Sequence, residues 1–144
     1  MRYLFLLGCL LYFACESVVD DPAFAVTPRI ELVGVNTTTL VQFQDTLRLT
    51  LAYEDGDGDL GTSDPDVNLV TVRDDRLPEA DTYYLPPLAP EGTAVSIQGE
   101  IILELPPLFL LGNGSQEAVM LTVTLTDRAG NMSNAVAVEI AVIR

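Results

Sequence analysis

A run of twelve residues near the middle of the chain, YEDGDGDLGTSD from Tyr53 to Asp64, holds most of the chemistry that this sequence offers. With Asp66 just beyond it, the segment carries six carboxylates and no intervening basic residue: Glu54, Asp55, Asp57, Asp59, Asp64 and Asp66. Two like unit charges about 6 Å apart in water repel by roughly 0.7 kcal/mol, and several such pairs make the segment unfavourable on its own. A bound divalent cation would reverse the sign of that interaction.

The three aspartates Asp55, Asp57 and Asp59 alternate with glycines, which allow the sharp backbone turns needed to bring their carboxylates to one point. Oxygen ligands suit Ca²⁺, and the sequence has no His to favour a softer metal. The spacing resembles the start of an EF-hand loop, with Asp66 at the twelfth position. Leu60, however, stands where that loop needs Gly, and no helices are predicted beside it. We therefore predict a Ca²⁺ loop on a β scaffold, with a plain, solvated Asp/Gly turn as the alternative.

The elements around this loop show the alternation of apolar and polar residues that is typical of strands with one buried face. It is clearest in TLRLTLAY, VMLTVTLT and AVAVEIAVI. We predict six strands and a further short one, at residues 29–35, 46–53, 67–73, 94–104, 118–126, 135–143 and 82–85. About seven strands separated by turn residues indicate an all-β fold, an antiparallel immunoglobulin-like β-sandwich over residues 29–144.

A second polar group, Asp127-Arg-Ala-Gly-Asn131, follows the fifth predicted long strand. In an immunoglobulin-like sandwich the loop holding these residues emerges at the same end as the acidic loop. Asp127 and Asn131 are therefore predicted to complete the metal site that Asp55, Asp57, Asp59 and Asp66 begin. The alternative is an ordinary tight hairpin, because Asp, Asn and Gly all favour turns.

The composition excludes several kinds of chemistry. There is no His and no Lys, so neither a Ser-His-Asp or Cys-His nucleophile nor a Schiff base can form. The chain has no Trp to line a sugar-binding cleft, which disfavours a paired-carboxylate glycosidase. We therefore expect a protein that is not an enzyme. The formal net charge of −14 disfavours nucleic acid as a partner.

The N-terminus has the pattern of a secretion leader. One Arg precedes an apolar run from Tyr3 to Ala14, which is too short to span a bilayer as a helix and fits a signal peptide at residues 1–14. Ala14 followed by Cys15 resembles the lipobox of bacterial lipoproteins, which implies that Cys15 is acylated and that residues 15–28 tether the domain to the membrane. A lipobox ending at Cys9 would leave too short a leader. An ordinary signal peptide or an uncleaved anchor remains an alternative.

Two motifs carry a further resemblance. VTLTDRAGNMSNAVAVEI resembles the last hairpin of bacterial immunoglobulin-like domains. YEDGDGDLG resembles a segment of small Gram-negative lipoproteins that also carry an Asp-Arg-Ala-Gly-Asn hairpin. The resemblance is specific at these two motifs and implies an immunoglobulin-like fold and a surface lipoprotein. It implies no activity.

These observations predict a lipid-anchored module of the bacterial outer membrane, facing the surface or the periplasm, stabilised by Ca²⁺ and structural or adhesive in role. The alternative is an accessory subunit that binds an envelope protein or glycan, for which Tyr83, Tyr84 and Phe109 are the candidate contact residues. A third reading, an acidic-cleft hydrolase, would need two carboxylates facing each other in a groove. The apolar run Leu108–Leu111 is predicted to pack into the core.

Overall fold

The computed structural model describes residues 23–144; the predicted signal peptide, Cys15 and residues 15–22 of the predicted tether lie outside the described residues. Within residues 23–144 there are eight strands and no helix that is long and apolar enough to cross a lipid bilayer. The strands are β1 (Arg29–Val35), β2 (Thr39–Val41), β3 (Leu47–Asp55), β4 (Val70–Asp74), β5 (Asp81–Tyr83), β6 (Ile97–Leu105), β7 (Gln116–Leu125) and β8 (Val136–Ile143).

The strands form two sheets that pack face to face. One sheet has the order β1-β3-β6, and the other has the order β2-β8-β7-β4-β5. All neighbouring strands are antiparallel except β2 and β8, which are parallel. The predicted all-β sandwich is confirmed, with eight strands and one parallel edge pair.

All six predicted long strands are present, with ends that differ by up to three residues, and the short strand predicted at 82–85 corresponds to β5. The sequence analysis missed β2. This strand has only three residues, too few to show alternation, and it forms by pairing with residues 141–143 at the far end of the chain. Such a short parallel edge is specified by distant residues and leaves no local signal.

The core lies between the two sheets and is built from the alternate residues predicted to face inward. Leu47, Leu49 and Leu51 of β3 are fully buried, as are the inward residues of β7, Val119, Leu121, Val123 and Leu125. In β8, Ile140 and Val142 are buried, whereas Val136 and Val138 are only half-buried. β2 pairs only with residues 141–143, so the first half of β8 has no neighbouring strand on that side.

The apolar run Leu108–Leu111 divides between core and surface. Leu108 and Leu110 pack against the core, while Phe109 and Leu111 remain 41% and 46% exposed. The prediction that this run packs into the core is therefore met by alternate residues only. Phe109 and Leu111 are therefore part of the protein surface.

Candidate metal centre

The acidic loop and the second hairpin emerge at the same end of the sandwich, as the topology predicts. β3 ends at Asp55 and leads into the loop that carries Asp57 and Asp59, and β7 ends just before Asp127. Arg128 N donates a hydrogen bond to the carbonyl of Asp59 (3.2 Å), which joins the two loops through their backbones. This contact brings the carboxylates of both loops close together.

Three of these carboxylates converge. One oxygen from each of Asp55, Asp59 and Asp127 lies within 4.8 Å of the other two. Oxygen ligands sit about 2.3–2.6 Å from Ca²⁺, so two ligands of one ion are at most about 5 Å apart. Asp55 is 0% exposed and Asp127 is 2% exposed, whereas Asp57 and Asp59 are half-buried. The spacing fits a single ion held away from bulk water.

The clearest feature of the site is a set of buried oxygens that accept no hydrogen bond from any described residue. These atoms are Oδ1 of Asp55, Oδ1 of Asp57 and Oδ1 of Asp59. Buried polar groups are hydrogen-bonded in the great majority of cases, and an unpaired buried carboxylate oxygen is costly. Three such atoms in one loop make this group the candidate site for a bound cation.

The remaining oxygens are fixed by the backbone and by one amide. Oδ2 of Asp55 accepts from Asp59 N (3.0 Å), and Oδ2 of Asp59 accepts from Ala129 N (3.0 Å). Asp127 accepts from the backbone N (2.7 Å) and the side-chain Nδ2 (2.8 Å) of Asn131. Each carboxylate is thus oriented by protein donors. In Asp55 and Asp59 one oxygen remains for a ligand.

Within residues 23–144, no basic side chain forms an ion pair with the group. None of the four ion pairs formed within residues 23–144 involves an aspartate of this site. The nearby Arg128 directs its guanidinium to backbone carbonyls instead, with Nη1 donating to Gly61 O (2.7 Å) and Nη2 to Gly58 O (3.4 Å). Arg128 therefore ties the hairpin to the acidic loop and leaves the carboxylates free.

The electrostatic strain is expressed in two perturbed pKa values. Burial, together with the negative charges of Asp127 and Asp57, raises the pKa of Asp59 to about 6. Burial also raises the pKa of Asp55, with Asp57 as the next cause. Both shifts mean that the fold disfavours the ionised form when no cation is bound.

Residues 55–61 are buried or half-buried and contact other parts of the domain. Leu60 is fully buried in the core, and its carbonyl accepts a hydrogen bond from Leu88 N (3.1 Å). Gly61 has a φ of +79°, and a Cβ added there would lie 2.0 Å from Pro86 O. Only glycine fits such a close approach of two backbone segments. These contacts fix the path of the backbone that carries the carboxylates.

The tether predicted at residues 15–28 contacts this loop through its described end. Ala25 O accepts a hydrogen bond from Gly56 N (2.8 Å), and Ala23 N donates to Ser96 Oγ (3.0 Å). The same hydroxyl donates to Gly56 O (3.0 Å). Residues 23–28 form no strand, yet they pack against the loop that carries the aspartates.

The other predicted ligands take different positions. Asp57 lies close enough for its charge to raise the pKa of both Asp55 and Asp59, although it is outside the group of three oxygens within 4.8 Å. Asn131 holds the Asp127 carboxylate. Asp66 is exposed, donates its backbone N–H to Asp64 Oδ1 (3.0 Å) and is not brought into the cluster.

The sequence analysis missed the contacts of two residues, Arg128 and Phe43. Arg128 lies inside the quoted hairpin motif, but nothing in the sequence indicates that it would bind carbonyl groups. Phe43 lies between β2 and β3 with a φ of +60° and is 68% exposed. Its ring stacks on Phe109, with centroids 5.6 Å apart and an interplanar angle of 6°.

The candidate contact residues Tyr83 and Tyr84 do not join this aromatic pair. Tyr83 packs against the core and is half-buried, whereas Tyr84 is 40% exposed. Phe109 is the one predicted aromatic candidate that takes part in an aromatic stack within residues 23–144.

No family model, curated protein or solved structure matches the chain. Function is therefore inferred from the site itself.

Proposed function

We propose that the sandwich binds one Ca²⁺ ion through Asp55, Asp57, Asp59 and Asp127, and that the ion stabilises this end of the domain. The observation that carries the proposal is the set of three buried Oδ1 atoms without a hydrogen-bond donor among residues 23–144. A cation supplies what those oxygens lack, and its charge offsets the burial and the repulsion from Asp127 and Asp57 that together raise the pKa of Asp59.

The ligand set favours Ca²⁺ over other common ions. All candidate ligands are carboxylate oxygens, which hard cations prefer and which Zn²⁺ sites use less than His or Cys. Ca²⁺ accepts six to eight oxygens in flexible geometry, whereas Mg²⁺ demands a near-ideal octahedron at about 2.0–2.1 Å and gives up its waters reluctantly. Four aspartates with additional waters suit the larger ion.

The role that best fits such a site is structural or adhesive, and we propose no catalysis. Asp55 and Asp127 are almost completely buried, so a bulky substrate would not reach them. The leader pattern ending at Ala14 and Cys15 supports a lipid-anchored module of the bacterial outer membrane, facing the surface or the periplasm. We assign residues 29–144 to the domain and residues 15–28 to its connection with the membrane.

Direct binding tests the cation proposal. Calorimetry or equilibrium dialysis of the calcium-depleted protein should find about one Ca²⁺ per chain, with a Kd of about 10⁻⁴–10⁻³ M. Asp59→Asn should abolish binding, because Asp59 lies within the cluster. Asp66→Asn is the matched control, since it removes the same charge from the same loop at an exposed position. Equal loss in both variants would mean that general charge attraction, not this site, holds the ion.

A second candidate function is an accessory subunit that binds an envelope protein or glycan. The stacked pair Phe43 and Phe109 favours it, because the two rings are 68% and 41% exposed and Phe43 holds a φ that non-glycine residues rarely adopt. A screen of envelope glycans against the wild type and Phe43→Ala tests it. Binding that persists unchanged in Phe43→Ala would assign the contact to another surface.

A further inference from the structure

One strand edge of the sandwich is long, regular and without a partner. Within residues 23–144, four strands lie at sheet edges, namely β1, β2, β5 and β6. β2 and β5 have three residues each, and the pairing of β1 shifts register between Leu32 and Gly34. β6 has nine residues and pairs with β3 without a register shift. Short or bulged edges resist pairing with another chain, whereas an edge like β6 favours it.

The outer side of β6 carries backbone N–H and C=O groups that pair with no other strand of the described chain. Within the described part of the chain, no backbone hydrogen bond outside the pairing with β3 involves residues 97–105. Its inward side chains are also incompletely covered. Ile101 and Leu103 are half-buried, whereas Leu49 and Leu51 of the neighbouring β3 are fully buried. Both observations indicate that a further strand would fit beside β6.

A cavity opens beside the C-terminal end of this edge. It has a volume of about 110 Å³ and lies between the end of β6 and the β4–β5 hairpin. Its lining is mixed, with apolar and aromatic residues beside three charged ones: Leu105, Val72, Tyr83, Phe109, Asp74, Arg76 and Asp81. Successive side chains of a strand point to opposite faces, so every second side chain of an added strand would face the space between the sheets.

The outer face of the same edge is acidic. Glu100 and Glu104 point outward with Gln98, and Ile102 between them is 66% exposed. Glu104 already forms an ion pair with Arg48 of β3, whereas Glu100 forms none of the ion pairs within residues 23–144. The chain as a whole carries a formal net charge of −14. A second copy of this chain would add its own Glu100 and Glu104 to this face, and like charges on neighbouring strands are destabilising. Charge complementarity therefore favours a basic partner.

We propose that β6 binds an extended segment of a partner protein by strand addition. In that segment, apolar side chains at alternate positions enter the space between the sheets, and a Lys or Arg side chain lies on the outer face beside Glu100. The backbone pairing supplies affinity and the alternating side chains supply specificity. The proposal specifies a partner for the second candidate function and does not depend on the cation centre, so either can fail alone.

Fluorescence anisotropy with three labelled nine-residue peptides tests the proposal, using the full chain in mild detergent with millimolar Ca²⁺. The probes alternate Val with Arg, Val with Glu, and Ser with Arg. The Val/Arg peptide should bind more tightly than the other two, because it alone has both the apolar and the basic positions. It should also slow hydrogen exchange of the amides in residues 98–104 and leave those in residues 29–35 unchanged.

Glu100→Lys should weaken binding of the Val/Arg peptide by about three- to tenfold and strengthen binding of the Val/Glu peptide. Glu31→Lys is the matched control, because Glu31 and Glu100 flank Ala52 on opposite edges of the same sheet. Equal weakening by both variants, equal binding of the Ser/Arg peptide, or protection outside β6 would overturn the proposal. Concentration-dependent protection of residues 98–104 without any peptide would identify a second copy as the occupant and would also overturn it.

Discussion

Replacing Asp59 with Asn should stabilise the protein when no cation is present. Oδ2 of Asp59 accepts a hydrogen bond from Ala129 N, and the amide oxygen of Asn can keep that bond. Oδ1 has no donor among the described residues, and one carboxylate oxygen of Asp59 lies in the cluster with Asp55 and Asp127. In the variant, an NH₂ group that can donate to those carboxylates takes its place. The substitution thus removes one charge and one unpaired acceptor together.

The magnitude follows from the spacing of the carboxylates. At the 4.8 Å limit of the cluster, two unit charges repel by about 0.9 kcal/mol in water and by about 3.5 kcal/mol at an effective permittivity of 20. Asp59 is half-buried, which places it nearer the lower figure. We expect Asp59→Asn to gain about 1–2 kcal/mol in chelator, or about 4–8 °C in melting temperature for a domain of this size.

Bound Ca²⁺ should stabilise the wild type and not Asp59→Asn, and so remove the advantage of the variant. A cation at ten times its Kd stabilises the wild type by about 1.4 kcal/mol, because it binds the folded state alone. Asp59→Asn loses a charged ligand and should show almost no calcium-induced shift. Circular dichroism melts of a soluble fragment beginning after Cys15, in chelator and in millimolar Ca²⁺ at equal ionic strength, measure both effects.

The exposed Asp66→Asn controls for the loss of one charge from the loop and should behave as the wild type in both conditions. The reasoning is refuted if Asp59→Asn melts below the wild type in chelator. It is equally refuted if Ca²⁺ shifts this variant as much as the wild type.

Three further outcomes are expected. In chelator, the advantage of Asp59→Asn over the wild type should grow as the pH rises from about 4 to about 6. The folded pKa of Asp59 is raised to about 6, so over this range the unfolded wild type loses a proton that the folded wild type keeps, and folding becomes less favourable; a constant difference would contradict this. Gly61→Ala should cost about 3 kcal/mol or more in urea denaturation, against about 1 kcal/mol for Gly130→Ala, because Gly130 also has a positive φ but open space around it; equal costs would contradict the close backbone approach. Cys15→Ser should abolish labelling by a fatty-acid probe while Cys9→Ser retains it; the reverse pattern would move the lipidation site.

The sandwich could be predicted because each long strand carries its own periodic signal. The alternating leucines of β3 and the Val and Leu residues of β7 are inward in the structure as expected. Features that depend on distant partners could not be predicted. β2 exists because residues 141–143 pair with it, and the half-burial of Val136 and Val138 follows from where that pairing stops.

For the candidate site, residue type and topology identified more than spacing did. Loop topology placed Asp127 beside the acidic loop, and the structure brings it to Asp55 and Asp59. The EF-hand-like spacing suggested Asp66, which lies exposed elsewhere in the loop. The depth of the site depends on the burial of Leu60 and on contacts with residues 86–95 that no local pattern encodes.

The central claim is that Asp55, Asp57, Asp59 and Asp127 hold one Ca²⁺ ion. Anomalous diffraction from crystals grown in millimolar Ca²⁺ tests it most directly. The account predicts one peak at this end of the sandwich, about 2.3–2.6 Å from carboxylate oxygens of these residues, including the Oδ1 atoms of Asp55 and Asp59. A peak only at the exposed Asp64 and Asp66, or none at full calcium saturation, would contradict it.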